Sequence, residues 1–575
     1  MILRLSCRTV LALWLFALPA CCLAIEIEVQ GVPGRFAERV RDSIDLNGAG
    51  KEEKIDRAEA ERRLDRGRQQ LVKAMSSFGY YRARVRASLA GDPSKWKAVY
   101  RVTPGTPVTY GSVTIKVTGP ASSEPALERY LAGKPLAVGG RLDHGQYESV
   151  KESLLSRTQA LGYLDASLAV HKVEVNLDTY SARAELIVDS GPLYHFGKIR
   201  LIQNVLDDSF VRRYVGIQYG DRYSDRRLLR LQQDLKDSDY FDEVRVDPRL
   251  KEAGPDGYVP IDVHLTPRKA SQWQAGLGYG TDTGARGSLS WEQRRLNKHG
   301  HRLGSSLQLS QIGGSAEGHY TIPFGDPRND QYQVFANYVR NNPDTNNSEI
   351  GALGVRRSTA LGRTRLTLSF TYQRENFTVA GQSGLTDLFI PGAELSRVKA
   401  DNRLFTHNGL KWKFSLEGSA GLISDFAFIQ PHVSGKIIHS FGDLRVLLRG
   451  EAAWTAAKLH ELPASLRFFA GGDQSVRGFG YETLGPLNSE GKVTGGRRLL
   501  VGSAEVDYGI TSKWRVAAFF DAGNAFDTFD EPLRKSVGIG IRRITPIGPI
   551  RIDLAHPVVG GTSSVRLHIT LGPDL

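Results

Sequence analysis

The stretch of this chain best equipped for chemistry is Gly471-Gly472-Asp473-Gln474-Ser475-Val476-Arg477-Gly478-Phe479-Gly480. One guanidinium stands among glycines, with an aromatic ring two residues on. Pro463, Gly485, Pro486, Gly495 and Gly496 flank it, so the stretch reads as a long loop. A guanidinium is a permanent planar cation that recognises carboxylates or phosphates and does no proton transfer near neutral pH. A solvated surface turn is the plain alternative for any lone Arg-Gly pair. Covalent and acid–base chemistry finds no foothold elsewhere: no Gly-x-Ser-x-Gly elbow, His-Glu-x-x-His helix or phosphate loop occurs. The thirteen histidines are scattered. His299 and His301 flank Gly300 in a predicted hairpin turn, where they read as solvated loop residues and not as metal ligands. His568 falls on the polar face of the last predicted strand, as interior filler. The expectation is a non-enzyme with no catalytic residue, no metal and no cofactor.

The elements that must position such a loop divide the chain in two. At 575 residues it exceeds one ordinary domain, and 41% hydrophobic with 24% charged residues argues against global disorder. The net charge is +13, yet no tight Lys/Arg tract with interleaved aromatics appears, which excludes nucleic acid as the expected partner. Arg4 and Arg8 precede an apolar run from Val10 to Leu18, then Pro19 and small residues to Ala24. This is the pattern of a secretory signal peptide, with cleavage expected after Ala24, although Leu18-Pro19-Ala20-Cys21 also makes a poor lipid-attachment box. All three cysteines, Cys7, Cys21 and Cys22, lie inside it, so a cleaved chain carries no thiol for a disulfide or metal. No later run of about 18 apolar residues follows, so an exported chain that enters a membrane must do so as a barrel.

The first half repeats. Phe78-Gly79-Tyr80-Tyr81 is echoed by Leu161-Gly162-Tyr163-Leu164 and more loosely by Ser238-Asp239-Tyr240-Phe241. The tyrosines recur about 80 residues apart, a domain-sized period. Each echo follows helical spacing, as in Leu228, Leu229, Leu231 and Leu235, and precedes an alternating strand such as Ala182 to Val188. Gly105-Thr106-Pro107 and Gly191-Pro192-Leu193 open matching strands. Each unit therefore reads strand, helix, helix, strand, strand: a small α+β domain. Exposed sheet edges of such units can bind extended polypeptide, or the units can serve as a rigid spacer.

From Ser271 onward helical spacing gives way to alternation. Leu410, Trp412, Phe414 and Leu416 alternate with Lys411, Lys413, Ser415 and Glu417; Val565, Leu567, Ile569 and Leu571 alternate with Arg566, His568 and Thr570. Apolar residues outward and charge inward fit a transmembrane barrel, and the length allows about 16 strands. A soluble sandwich alternates too; the signal peptide and the missing spanning helix favour the barrel. On this parity Glu505 and Asp507 share one face, and Asp521 shares its face with Arg515, Ala517 and Phe519.

Val476-Arg477-Gly478-Phe479 after Phe469-Ala470-Gly471-Gly472, then Gly502-Ser503-Ala504-Glu505, then Phe519-Phe520-Asp521-Ala522-Gly523, resembles the signature of the BamA/TamA superfamily of outer-membrane assembly proteins. The repeats resemble its POTRA domains. Three repeats, the total length and the ending Leu571-Gly572-Pro573-Asp574-Leu575 resemble the TamA branch more than the BamA branch, which carries five, or two-partner secretion transporters, which carry two. The chain departs from many outer-membrane barrels in ending on Leu575 and not on Phe. The resemblance implies α+β repeats plus an all-β part: a signal peptide at 1–24, POTRA-like domains at 25–107, 108–190 and 191–267, and a transmembrane barrel at 268–575. It implies that Val476, Arg477, Gly478 and Phe479 form a loop latched inside the barrel, with Glu505 and Asp521 as the partners of Arg477. Gly478 is expected to supply a positive φ and a close approach to the wall, with Phe479 as anchor.

The implied location is the bacterial outer membrane, with the repeats in the periplasm. The implied activity is to insert or secrete autotransporter-type barrel clients, together with a TamB-like partner anchored in the inner membrane and with outer-membrane lipids. A seam between first and last strands, carried by Gly276, Gly278, Gly280, Val565, Leu567, Ile569 and Leu571, would open sideways, since glycines weaken a strand. A two-partner-secretion-type or solute-conducting pore is the alternative, and inter-membrane lipid transport through the TamB-like partner is a third reading.

Overall fold

A computed structural model describes residues 25–574, apart from 93–94, 403, 529, 547, 561–563, 573 and most of 33–55. The predicted signal peptide and its cysteines lie outside the described residues.

Helix Arg57–Ser77 illustrates how the repeats form. Asp56 caps it by accepting from Glu59 N at 2.7 Å, and Ala60, Gly67, Leu71 and Met75 fall on one buried face. That face covers a sheet of order β1-β3-β2, from β1 (Ile25–Gln30), β2 (Arg84–Asp92) and β3 (Lys95–Thr103), with β1 parallel and β2 antiparallel to the central strand. Helix His144–Ala160 does the same with Asp143 as cap and Tyr147, Val150, Leu154 and Thr158 buried. It lies over β4 (Thr109–Thr118), β5 (Ser167–Asn176) and β6 (Ser181–Asp189), in the order β4-β6-β5. The third sheet, of β7 (His195–Ile202), β8 (Phe241–Pro248) and β9 (Tyr258–Pro267), has the order β7-β9-β8, with helix Asp225–Asp237 before β8. The first two cores centre on the middle strand: Ala98, Tyr100 and Val102 in the first, Ala184, Leu186 and Val188 in the second.

Two compact units result. One comprises residues up to Lys198 with Tyr219–Arg227 and Arg249–Pro260; the other comprises Ile199–Gln218, Leu228–Pro248 and Ile261–Leu575, so the division runs through the third repeat.

The second unit holds a closed barrel of sixteen antiparallel strands, β10 (Ser271–Gly280) to β25 (Arg566–Leu571). Alternation builds it: Leu353, Val355, Leu368, Phe370, Leu448, Val506, Ile539 and Leu554 are exposed on the outside, while Arg445, Glu505, Asp507, Asp521, Arg542 and Asp553 are buried inside. A sandwich would bury the apolar face. No helix among the described residues is long and apolar enough to cross a membrane. The wall is uneven, with 10 residues in β10 against 19 in β17 (Gln382–Ala400).

The closure is sparse. Among the described residues, β10 pairs with β11 (Gly284–Gln293) at ten positions but with β25 only at Gly280↔Thr570, supplemented by Thr281 N donating to Ile569 O at 3.3 Å. Of the seam residues expected, Gly280 alone meets the other edge through a register pair. Gly276 and Gly278 pair with Ser288 and Arg286, and Leu567, Ile569 and Leu571 pair with the other neighbour, β24 (Ile550–Val559). Val565 lies one residue before β25. Stagger explains this: tilted strands close a barrel with an offset register, so the edges meet over part of their length.

Candidate functional site

The loop 455–497 connects β20 (Leu444–Trp454) to β21 (Arg498–Gly509) and packs against inward-facing side chains of the wall. Gly471 and Gly472, both at φ +100°, turn the chain, and Gly472 N donates to Phe479 O at 3.1 Å to close the tip. Val476 and Phe479 bury themselves among Ala453, Leu484, Leu499, Val501 and Ala525. Gly478 corrects an expectation, for it does not use a positive φ. Space dictates glycine there: a Cβ would sit 2.6 Å from Ser536 Cβ and 3.0 Å from Pro557 N.

Arg477 is 6% exposed and fully engaged. Its Nε and one terminal nitrogen grip Asp521 at 2.8 and 2.9 Å, and its backbone N–H adds a third bond to that carboxylate at 3.1 Å. The other terminal nitrogen donates to Glu505 at 2.8 Å and to Asp553 at 3.3 Å, while the nitrogen that grips Asp521 also donates to Ser503 Oγ at 3.2 Å. The guanidinium lies over the Phe519 ring, 3.3 Å from Cζ to the ring centre. The parity of β21 and β22 (Trp514–Phe526) turns Ser503, Glu505, Phe519 and Asp521 inward together, and Ser503 and Asp521 are register partners.

Arg542 completes the cluster from β23 (Arg534–Arg543), donating to Glu505 at 2.8 Å and to Asp553. Two guanidinium groups thus face three carboxylates away from bulk water, the condition under which charge-assisted bidentate pairing is strongest. The arrangement joins the loop to the wall through charge-assisted hydrogen bonds.

The sequence reading named neither Arg542 nor Asp553 as a partner, although both lie on the inward parity of alternating strands. It also missed what the last strand does. His568 Nε2 contacts Arg477 O at 2.6 Å, and Asp473 N donates to Asp282 at the end of the first hairpin. His568 is therefore a contact of the loop and not filler. A second buried network ties Arg445 to Asp507 at 2.7 Å and to Asp574 at 2.7 Å, with Arg551 on the other Asp574 oxygen at 2.6 Å. Asp574, beyond β25, is thereby held in the interior. The turn at His299-Gly300-His301 is also more than solvated: His301 Nδ1 meets Tyr320 OH at 2.6 Å, and Gly300 O accepts from Tyr240 OH. No group of three or more potential metal ligands occurs among the described residues.

Comparison with known proteins agrees with this architecture. The Omp85 superfamily domain matches residues 269–572, the first POTRA domain of TamA matches 26–104, and the surface antigen variable number repeat, a POTRA model, matches 194–268. The chain is 24% identical over 429 residues to the outer membrane protein assembly factor BamA of Nitratidesulfovibrio vulgaris, covering 68% of this chain and 52% of that protein. It is 22% identical over 557 residues to BamA of Neisseria meningitidis, covering 84% and 68%. The chain thus spans between half and about two thirds of these relatives. In fold it is similar to the crystal structure of Haemophilus ducreyi BamA lacking POTRA domains 1-3, with TM-score 0.68, 17% identity, and 81% of this chain and 99% of that one covered. Barrel, repeats and family place it in the outer membrane with the repeats in the periplasm. The chain belongs to the Omp85 superfamily.

Proposed function

We propose that this chain is an outer-membrane assembly factor of the TamA type, which helps barrel clients such as autotransporters enter the membrane at the seam between β10 and β25. The observation that carries the reading is the sparse closure, one register pair among the described residues where the neighbouring strand pair has ten. Unpaired N–H and C=O groups along two edge strands are a template for an incoming strand, which would gain the main-chain hydrogen bonds the seam forgoes. Arg477 with Glu505 and Asp521 serves as a latch that keeps the loop seated while the wall next to it opens. Because the same loop touches His568 on β25 and Asp282 beyond β10, it braces both edges from inside. Three repeats and the match of the first to a TamA domain model support the TamA type, with a TamB-like inner-membrane partner.

The test is a disulfide between Gly280→Cys and Thr570→Cys, positions that face each other across the seam. In vesicles holding the full-length protein, the oxidised lock is expected to lower client insertion at least tenfold, and reduction to restore it. Undiminished insertion through the locked seam would refute the gate. A large, stable conductance unaffected by the lock would favour a pore.

A further inference from the structure

The Gly-Tyr echo has a role that the barrel does not absorb. At the first junction Gly79 sits at φ +86°, its carbonyl accepts from Val108 N at 2.9 Å, and Leu142 N returns to Val108 O at 2.8 Å. A Cβ on Gly79 would lie 2.4 Å from Leu142 O. Arg141, bridged to Thr109 at the start of β4, places its guanidinium 5.6 Å from the Tyr80 ring. Tyr81 OH adds a 2.6 Å contact to His144.

The second junction repeats the backbone exchange and the arginine–ring contact. Gly162 sits at φ +95°, its carbonyl accepts from Tyr194 N at 2.9 Å, and Tyr223 N returns to Tyr194 O at 3.0 Å. A Cβ on Gly162 would meet Tyr223 O at 3.0 Å. Arg222, bridged to His195 at the start of β7, lies 5.8 Å from the Tyr163 ring. Glu124 then joins ring and cation, accepting from Arg222 at 2.6 Å and from Tyr163 OH at 2.9 Å.

At the entry to the barrel the glycine becomes Asp239, at φ +66°, a conformation that aspartate tolerates better than most side chains. Its carboxylate is held by Arg268 and Arg294. Arg302, the first residue of β12 (Arg302–Ser310), lies 4.6 Å from the Tyr240 ring, and Tyr240 O accepts from Arg268 N at 2.9 Å.

We propose that the echo is a joint: a residue at positive φ and its tyrosine close each repeat and receive an arginine from the next module, which sets the angle between the two. The physics is that of a short two-point clamp. The backbone exchange fixes position, and the arginine–ring contact, attractive through the quadrupole of the ring, fixes rotation. Glycine is required where the next backbone comes closest. Each arginine acts at its own joint, so the angles are set one by one. This holds whatever the clients are, and it stands independently of the function proposed above.

Spin-label pairs in the full-length protein in lipid nanodiscs test it. Labels at exposed Ser88 and His171 report the first joint, and labels at His171 and Asp256 the second. Both wild-type distance distributions are expected to be narrow. Arg222→Ala should at least double the width of the second and leave the first unchanged, and Arg141→Ala should do the reverse. Tyr163→Phe, which keeps the ring and loses only the Glu124 bond, should keep the second narrow, and this holds a readable outcome should the alanine variants fold poorly. Wild-type distributions as broad as those of the variants, or arginine variants that change neither, would overturn the joint.

Discussion

Replacing Arg477 by alanine tests the latch most directly. The substitution removes five side-chain hydrogen bonds: two to Asp521 and one each to Glu505, Asp553 and Ser503. What remains is uneven. Glu505 and Asp553 still share Arg542, whereas Asp521 keeps only Ser503 Oγ at 2.6 Å and the backbone N–H of residue 477. Breaking a buried pair from one side costs about 3–5 kcal/mol, because the surviving carboxylate is stranded away from water. The loss should therefore appear as a lower urea midpoint of the barrel in lipid vesicles and as lost heat-modifiability on semi-native gels. Since Asp521 bears most of it, Asp521→Ala added to Arg477→Ala should cost much less than it does alone. A coupling of about 2–4 kcal/mol is expected, in the range of close charge pairs elsewhere. Arg477→Lys should fall between, because an ammonium keeps the charge but cannot grip both Asp521 oxygens with a planar fork. An unchanged midpoint together with a coupling near zero would refute the latch.

Two further outcomes follow from the geometry. Asp574→Asn removes one of the two carboxylates on Arg445 and the carboxylate that Arg551 grips, so it should cost about 1.5–3 kcal/mol and lower the urea midpoint of the barrel; an unchanged midpoint would show that Asp574 holds nothing. At the second joint the Arg222 guanidinium, aided by Tyr163, holds the Glu124 carboxyl below its usual range against the opposing effect of burial. A depressed folded value means that the contribution of Glu124 is present above its unfolded value, about 4.3, and is lost as pH falls through the folded one. The second-joint distance distribution should thus stay narrow from neutral pH down to that value and broaden only below it, and Glu124→Gln should abolish the pH dependence; broadening already at pH 6 would contradict the assignment.

The sequence by itself determined whatever is local and periodic. Two-residue alternation decided which side chains of β21 and β22 turn inward, so Glu505 and Asp521 were on one face before any register was known. Helical spacing ending at Gly79, Gly162 and Asp239 announced three repeats, because a positive φ at a helix end leaves a mark in residue type. What the tertiary structure decided depends on register and closure, which join residues far apart in the chain. Arg542 and Asp553 were visible as inward residues, but only the stagger of the wall puts them on Arg477. His568 meets Arg477 O across 91 positions of sequence, and Gly280 alone of the expected seam residues pairs across the closure, because barrel stagger is a property of all sixteen strands together. The glycine at 478 was legible as necessary, but for a reason the sequence could not tell. It is required by the nearness of Ser536 and Pro557 and not by its own dihedral angle, since backbone proximity between distant segments exists only once the chain has folded.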